Sequence, residues 1–302
     1  MKDRKSIKKL NIYCNISLVL AAFISGLSFV AQKLGMNYVE PFTFNTLRCF
    51  IGAVSLLPLM FLLRKFDTKY PVKNLFKGGL LAGIVLFIAF SINQYCMIYA
   101  DAGKAGFITS LYILFVPLIA VFLKHRLTMN VSISIFIALI GLYLLCAKEM
   151  SSFELWDIFL LVSAFFFALH IIVVSYYSKR TDAVKLAMMQ FIIAGMLSLP
   201  FSLLFDKPEI QLILAGWKPV LFIGVIVTAG AYTLQIFGHK ATKPILATLI
   251  LSSEAVFAVL GGMIILNETL TIREVTGCII MMGAIILSQI KLKGGFNEKA
   301  NN

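Results

Sequence analysis

Long apolar runs alternate with short polar breaks along the whole chain, and ten such runs can be drawn. They fall near residues 12–31, 43–63, 78–99, 104–123, 131–147, 155–176, 185–204, 219–237, 244–266 and 275–290. Each is close to the ~20 residues that a helix needs to cross a ~30 Å hydrocarbon layer. The breaks carry helix-end chemistry. Pro41 precedes the second run, Pro71 precedes the third, Pro200 sits near the end of the seventh and Pro244 opens the ninth. Proline suits a helix start and poorly suits its interior. The gaps near Asp101 and His239 are short enough to predict tight helical hairpins. The pattern predicts an all-α integral membrane protein with ten transmembrane helices.

Composition adds weight to this reading. Apolar residues make up 60% of the 302 and charged residues 14%, against about 45–50% and about 25% in an average soluble domain. Lys2, Arg4, Lys5, Lys8 and Lys9 before an apolar run resemble a signal peptide, but the run continues to about Ala31. That exceeds an h-region of about 7–15 residues, so it is read as a retained first span. Cys14, Cys49, Cys96, Cys146 and Cys278 lie in or at the ends of apolar runs with no C-x-x-C spacing. Neither zinc nor a disulfide framework is indicated.

Charge placement tests the span map. With the N-terminus cytoplasmic, 20 of the 27 Lys and Arg fall on the cytoplasmic side. Six fall outside (Lys33, Lys104, Lys148, Lys207, Lys218 and Arg273), and Arg48 lies within a run. This matches the positive-inside rule. Losing or adding one span would reverse every later assignment. The expectation is a multi-pass protein of the cell (inner) membrane with short basic cytoplasmic tails, 1–11 and 291–302. Sidedness accounts for the net charge of +13, so no nucleic-acid partner is expected.

The two halves echo each other at an offset of 142 residues. Leu47-Arg48-Cys49 pairs with Met189-Gln190-Phe191, and Ala22 and Gly26 pair with Ala164 and Ala168. The repeats are 12–147 and 155–290. Five spans per repeat is an odd number, so the second would insert upside down relative to the first. Inverted repeats place a substrate site near the midplane between the halves and supply two related conformations.

Polar residues within the runs mark candidate site positions. A charge at a helix centre costs about 2.5–3.5 kcal/mol on insertion scales. Two charged residues pay it: Glu254, near the middle of span nine, and Arg48 in span two. Glu254 reads as a substrate, proton or ion contact, or as a structural hydrogen-bonding partner. Arg48 lies nearer the outer end, where it could snorkel to the surface; a pair with Glu254 is open. Asn93 and Gln94 in span three point about 100° apart on a helix, and read as cavity lining or as glue between helices. Tyr232 and Gln235 share one face of span eight at i, i+3. His170 sits midway along span six and is a candidate proton carrier, or simply a hydrogen-bonded buried ring. Gln190, Thr109, Ser110 and Tyr112 are further candidates of the same kind. Gly79 and Gly83 have the G-x-x-x-G spacing of close helix packing.

Enzyme signatures are missing. The chain has no G-x-x-x-x-G-K-[ST], no H-E-x-x-H and no G-x-S-x-G. It is read as not an enzyme, and no cofactor or metal is indicated. The rival readings are an integral-membrane enzyme or accessory protein handling lipid-linked substrates, and a channel.

The stretch from Gly224 to Leu270 resembles the EamA-type branch of the drug/metabolite transporter superfamily. Ala231, Tyr232 and Gln235 fit its span eight. Glu254, Phe257 and Ala258 fit span nine, and Asn267, Glu268, Leu270 and Thr271 fit the helix end that follows. In the first half, Phe42 to Asn45 with Leu47-Arg48 fits span two, and Leu114 to Leu118 fits span four, with Pro117 as a kink. Ala255 stands where the family often has Pro, which predicts a straighter span nine. The resemblance covers about residues 15–290. It implies ten helices in two inverted five-helix repeats around a central cavity. It also implies secondary transport, often export, of a small metabolite that is amino-acid-like or amphipathic. The expected substrate contacts are Glu254, Tyr232, Gln235, Asn93, Gln94, Arg48, His170 and Tyr112. The expected partners are that small molecule and the lipid bilayer, with a homodimer left open.

Overall fold

The computed structural model describes residues 2–63, 70–100, 102–123, 129–146, 154–266 and 271–289. Asp101, much of the charge between spans two and three, Asn267, Glu268, Leu270 and the C-terminal tail lie outside the described residues. The described chain is helical throughout, with no strand.

Each predicted run coincides with helix, and several are broken internally. Span one is α1 (Lys2–Gly35); span two is α2 (Pro41–Ser55) with α3 (Leu57–Leu63). Span three is α4 (Val72–Cys96), and span four is α5 (Ala102–Ser110) with α6 (Tyr112–Phe122). Span five is α7 (Met129–Cys146), span six is α8 (Leu155–Tyr177) and span seven is α9 (Ala183–Phe201), prolonged by a π-helical turn, Ser202–Asp206. A short α10 (Ile210–Ala215) leads to span eight. Span eight is α11 (Trp217–Leu221), a π-helical stretch Phe222–Ala231 and α12 (Tyr232–Gly238). Span nine is α13 (Pro244–Leu251) with α14 (Glu254–Leu266), and span ten is α15 (Ile272–Gln289). Seven of these stretches are long and apolar enough to cross a membrane; Met129–Leu144 and Pro244–Leu260 are apolar but shorter. The expectation of ten crossings is therefore met by length and composition in seven cases.

Span nine is not straight, contrary to the expectation from Ala255. It breaks at Ser252–Ser253. The two serine hydroxyls donate to the carbonyls of Leu249 and Ile250 at 2.8 and 2.7 Å, competing with the helical ladder. Span four breaks at Leu111, the equivalent of Ser253 at the 142-residue offset. Pro117, expected to kink this span, lies between one and two turns further on, inside α6. The paired breaks start α6 at Tyr112 and α14 at Glu254. Glu254 thus lies in the first turn of a helix, where unpaired backbone N–H groups favour a carboxylate.

The packing has twofold character. Span one packs on spans eight and nine, as span six packs on spans three and four. Span two packs on span seven, and span five packs on span ten, each against its own equivalent. Glycines allow the close approaches. A Cβ on Gly141 would come within 2.7 Å of the Met281 nitrogen, and Gly79 and Gly83 seat α4 against Met189 and Ile193 of α9. Small residues at such interfaces let backbones approach.

Long-range hydrogen bonds define two faces. At the near face, where α1 begins, Thr242 donates to Asn15 at 2.9 Å and Asn130 donates to the Leu287 carbonyl at 2.9 Å. At the far face, where α1 ends, the Lys33 ammonium caps the end of α4 by donating to the Met97 and Ala100 carbonyls, each at 2.9 Å. There too Asp206 accepts the Thr43 N–H at the start of α2, at 2.6 Å.

Candidate functional site

A cavity opens between the repeats, halfway along the spans. It offers about 60 Å³ to the centres of water-sized atoms, room for a few waters at about 10–15 Å³ each. Spans one, two, three, four, six, eight and nine contribute to its wall.

Arg48 and Glu254 bring opposite charges to this wall. Arg48 is only 2% exposed; it does not snorkel, because α2 packs between α9 and span eight and its guanidinium is held by Thr228 and Gln32. Its Nε donates to Thr228 Oγ1 at 3.2 Å and its Nη1 to Gln32 Oε1 at 3.3 Å. The guanidinium carbon lies 4.1 Å from the centre of the Phe90 ring, a cation–π contact. Gln32 in turn donates to Ser28 at 3.1 Å. Glu254 is held from span four, accepting from the Tyr112 hydroxyl at 2.9 Å and from Ser110 at 3.4 Å. The direct Arg48–Glu254 pair does not form, and neither group has an ion-pair partner among the described residues. Each charge rests on neutral dipoles from separate elements and still faces the cavity.

The remaining candidates divide. Asn93 lines the cavity and donates to Thr109 at 2.8 Å. Tyr232 and Gln235 line it with half-buried side chains. His170 lines it and shares a hydrogen bond with Gln190 at 3.0 Å. Gln94 does not reach the wall: it is buried elsewhere, with both amide atoms unpartnered among the described residues. The lining expected of Gln94 is thus corrected; its direction, about 100° from Asn93 on the same helix, takes it away from the cavity. Ser28, Gln32 and Thr228 belong to the site, and residue-by-residue reading passed over them as ordinary small polar residues in apolar runs.

Repeat symmetry is the signal that finds Ser28, the equivalent of His170; Gln32 and Thr228 have the apolar equivalents Val174 and Leu86, and symmetry does not mark them. Fourteen of the seventeen lining residues form seven pairs separated by 142 positions. Ser25 pairs with Phe167, Ser28 with His170, Phe29 with Ile171 and Thr109 with Leu251. Phe90 pairs with Tyr232, Asn93 with Gln235 and Tyr112 with Glu254. Two of these pairs touch each other. Tyr112 donates to Glu254, and the rings of Phe90 and Tyr232 meet edge to face at 5.5 Å. Equivalent residues in mutual contact straddle a twofold axis, so the pseudo-axis runs through the cavity.

Comparison with known proteins agrees with this architecture. The model of the EamA-like transporter family matches twice, over residues 12–147 and 154–289, again 142 positions apart. An uncharacterized transporter of Archaeoglobus fulgidus is 30% identical over 282 residues, covering 93% of this chain and 87% of the relative. The uncharacterized transporter YoaV of Bacillus subtilis is 23% identical over 281 residues, covering 90% of this chain and 95% of its own. A solved crystal structure shares the fold, with a TM-score of 0.74 at 15% identity over 93% of this chain and 96% of that one. Matched by the family model in both halves and related to transporters along nearly its whole length, this multi-pass membrane protein belongs to the EamA-like transporter family.

Proposed function

We propose that the chain is a secondary transporter that exports a small amino-acid-like or amphipathic metabolite by alternating access, with the axial cavity as its substrate site. All ten helices cross the bilayer in this reading, and the near face is cytoplasmic, as the charge census favours. The mutual packing of spans two and seven and of spans five and ten supports inversion. With five spans per repeat, a twofold axis relating them must lie in the membrane plane.

The observation that carries the reading is the pair of unmatched charges on one cavity. A buried charge without compensation is costly. A ligand with an anionic and a cationic group would offset both, its carboxylate on Arg48 and its ammonium on Glu254. Asn93, Gln235 and Tyr232 supply further hydrogen bonds, and Tyr112 and His170 close the wall. The test is thermal stabilisation of the purified protein across a metabolite panel, then counterflow in proteoliposomes. A ligand at 100 times its Kd adds about 2.7 kcal/mol to the bound state. Zwitterions are expected to stabilise the protein more than their mono-charged analogues and to drive saturable counterflow. Equal stabilisation by mono-charged analogues would overturn the bipolar site, and non-saturable flux would overturn the carrier.

A further inference from the structure

At the two faces of the bundle the repeats are joined by unequal chemistry. At the far face the start of α8 docks on the hairpin that joins spans three and four. Lys104 and Asp157 form an ion pair there at 2.8 Å, with side chains 10% and 2% exposed. The same Asp157 oxygen accepts the Glu154 N–H at 2.8 Å, which fixes the carboxylate in a capping box. Next to the pair, Tyr99 of the hairpin stacks on Trp156, with ring centres 3.9 Å apart and planes within 3°. Charge and stack both join repeat one to repeat two.

The near face has the same geometry built from other residues. There the start of α1 docks on the hairpin that joins spans eight and nine. At the 142-residue offset, Asp157 becomes Asn15, Trp156 becomes Cys14, Tyr99 becomes Ala241 and Lys104 becomes Leu246. The joint is held by the neutral Asn15–Thr242 hydrogen bond and by a Cys14 thiol donating to the Phe237 carbonyl at 3.4 Å. No stack is available to Ala241 and Cys14. Parting the far joint gives up a charge-assisted hydrogen bond and a ring stack, whereas parting the near joint gives up only neutral hydrogen bonds, which are weaker.

We infer that Lys104–Asp157, with the Tyr99–Trp156 stack, is a latch that holds the far side of the cavity shut and biases the empty carrier toward access from the near side. The inference rests on the alternating-access reading above. A two-state carrier of this kind responds to any contact made in one state only. The far joint is made when that side is closed and broken when it opens. The empty protein therefore waits open to the near side, which is the loading side for an exporter.

The test reads accessibility and needs no substrate. Ser25, on the cavity wall, is replaced by cysteine in a background with Cys14 changed to serine, which keeps a donor for the Phe237 carbonyl, and the other four native cysteines changed to alanine. A membrane-impermeant maleimide is then added to right-side-out or inside-out vesicles. Without further change, labelling is expected to be faster from the near side. Asp157→Asn is expected to raise the far-side rate roughly tenfold, the size of a typical coupling. The exchanged pair, Lys104→Asp with Asp157→Lys, is expected to restore the original pattern. An unchanged far-side rate in Asp157→Asn, or an exchanged pair that labels like Asp157→Asn, overturns the latch. If Asp157→Asn does not insert, Lys104→Gln with Asp157→Asn, which makes the far joint neutral as the near joint is, takes its place, and an unchanged far-side rate in it overturns the latch. Copying the latch to the near face, Asn15→Asp with Leu246→Lys, is expected to slow near-side labelling; no slowing counts against it. Equally fast labelling from both sides before any latch change overturns the bias and the latch with it, as does one-sided labelling indifferent to Asp157→Asn; the carrier reading itself fails only on non-saturable flux in the counterflow test.

Discussion

The two repeats share a backbone plan, and beside the cavity they differ in charge at two matched positions. Span two carries Arg48 where span seven carries Gln190, and span nine carries Glu254 where span four carries Tyr112. At the first position a cation rests on Gln32, Thr228 and Phe90, while its neutral equivalent binds His170. At the second, the two equivalents bind each other across the axis. A small metabolite has no twofold symmetry, so a symmetric scaffold must diverge on its walls to recognise one. Around the cavity the positions are kept in pairs while the chemistry of the side chains in several of those pairs diverges.

Making the repeats alike in charge should do the most damage. Glu254→Gln removes one pole at constant side-chain size and Arg48→Gln removes the other with a shorter side chain, and truncating one partner of a buried charged contact costs about 2–5 kcal/mol. Counterflow should fall at least about thirtyfold while membrane insertion is retained; wild-type flux in Glu254→Gln would sink its role. Tyr112→Phe should be milder. It removes the 2.9 Å donor to Glu254, and a hydrogen bond to a charged group contributes about 1.5–3 kcal/mol. Substrate Kd measured by titration should rise tenfold or more, with an unchanged Kd as the contrary result.

Gly26 tests the scaffold instead of the charges. A Cβ there would lie 2.5 Å from the Glu254 carbonyl oxygen and 2.8 Å from the Ala258 nitrogen. Both are backbone atoms that cannot step aside, so Gly26→Ala should lower thermal stability by about 1–3 kcal/mol, as overpacking does. Retained melting temperature and affinity would show that span nine gives way freely. The smallest effect is expected from Gln190→Leu, which removes the neutral hydrogen bond to His170 at 3.0 Å, worth about 0.5–1.5 kcal/mol. A loss of counterflow as large as that of Arg48→Gln would erase the distinction between the repeats.

Much of this was legible before any coordinates. The ten apolar runs coincide with helix, because a polypeptide in hydrocarbon must satisfy its own backbone. Glu254 and Arg48 stood out because ionisable residues in spans are expensive. The failures have one cause. The spans are apolar almost all round, so nothing in their own periodicity selects a face. Gln94 looked as eligible as Asn93, and Gln32 and Thr228 looked like background.

The sequence by itself determined the helical segments, the 142-residue repeat and the presence of two opposite charges in the apolar layer. Only the tertiary structure decided that these charges face one cavity without pairing, that Tyr112 meets Glu254 on the pseudo-axis, and that the ion pair Lys104–Asp157 joins the two repeats at the far face. Segment formation depends on local composition and backbone hydrogen bonding. Facing depends on how one repeat packs against the other, through contacts between residues more than a hundred positions apart, such as Arg48 with Thr228.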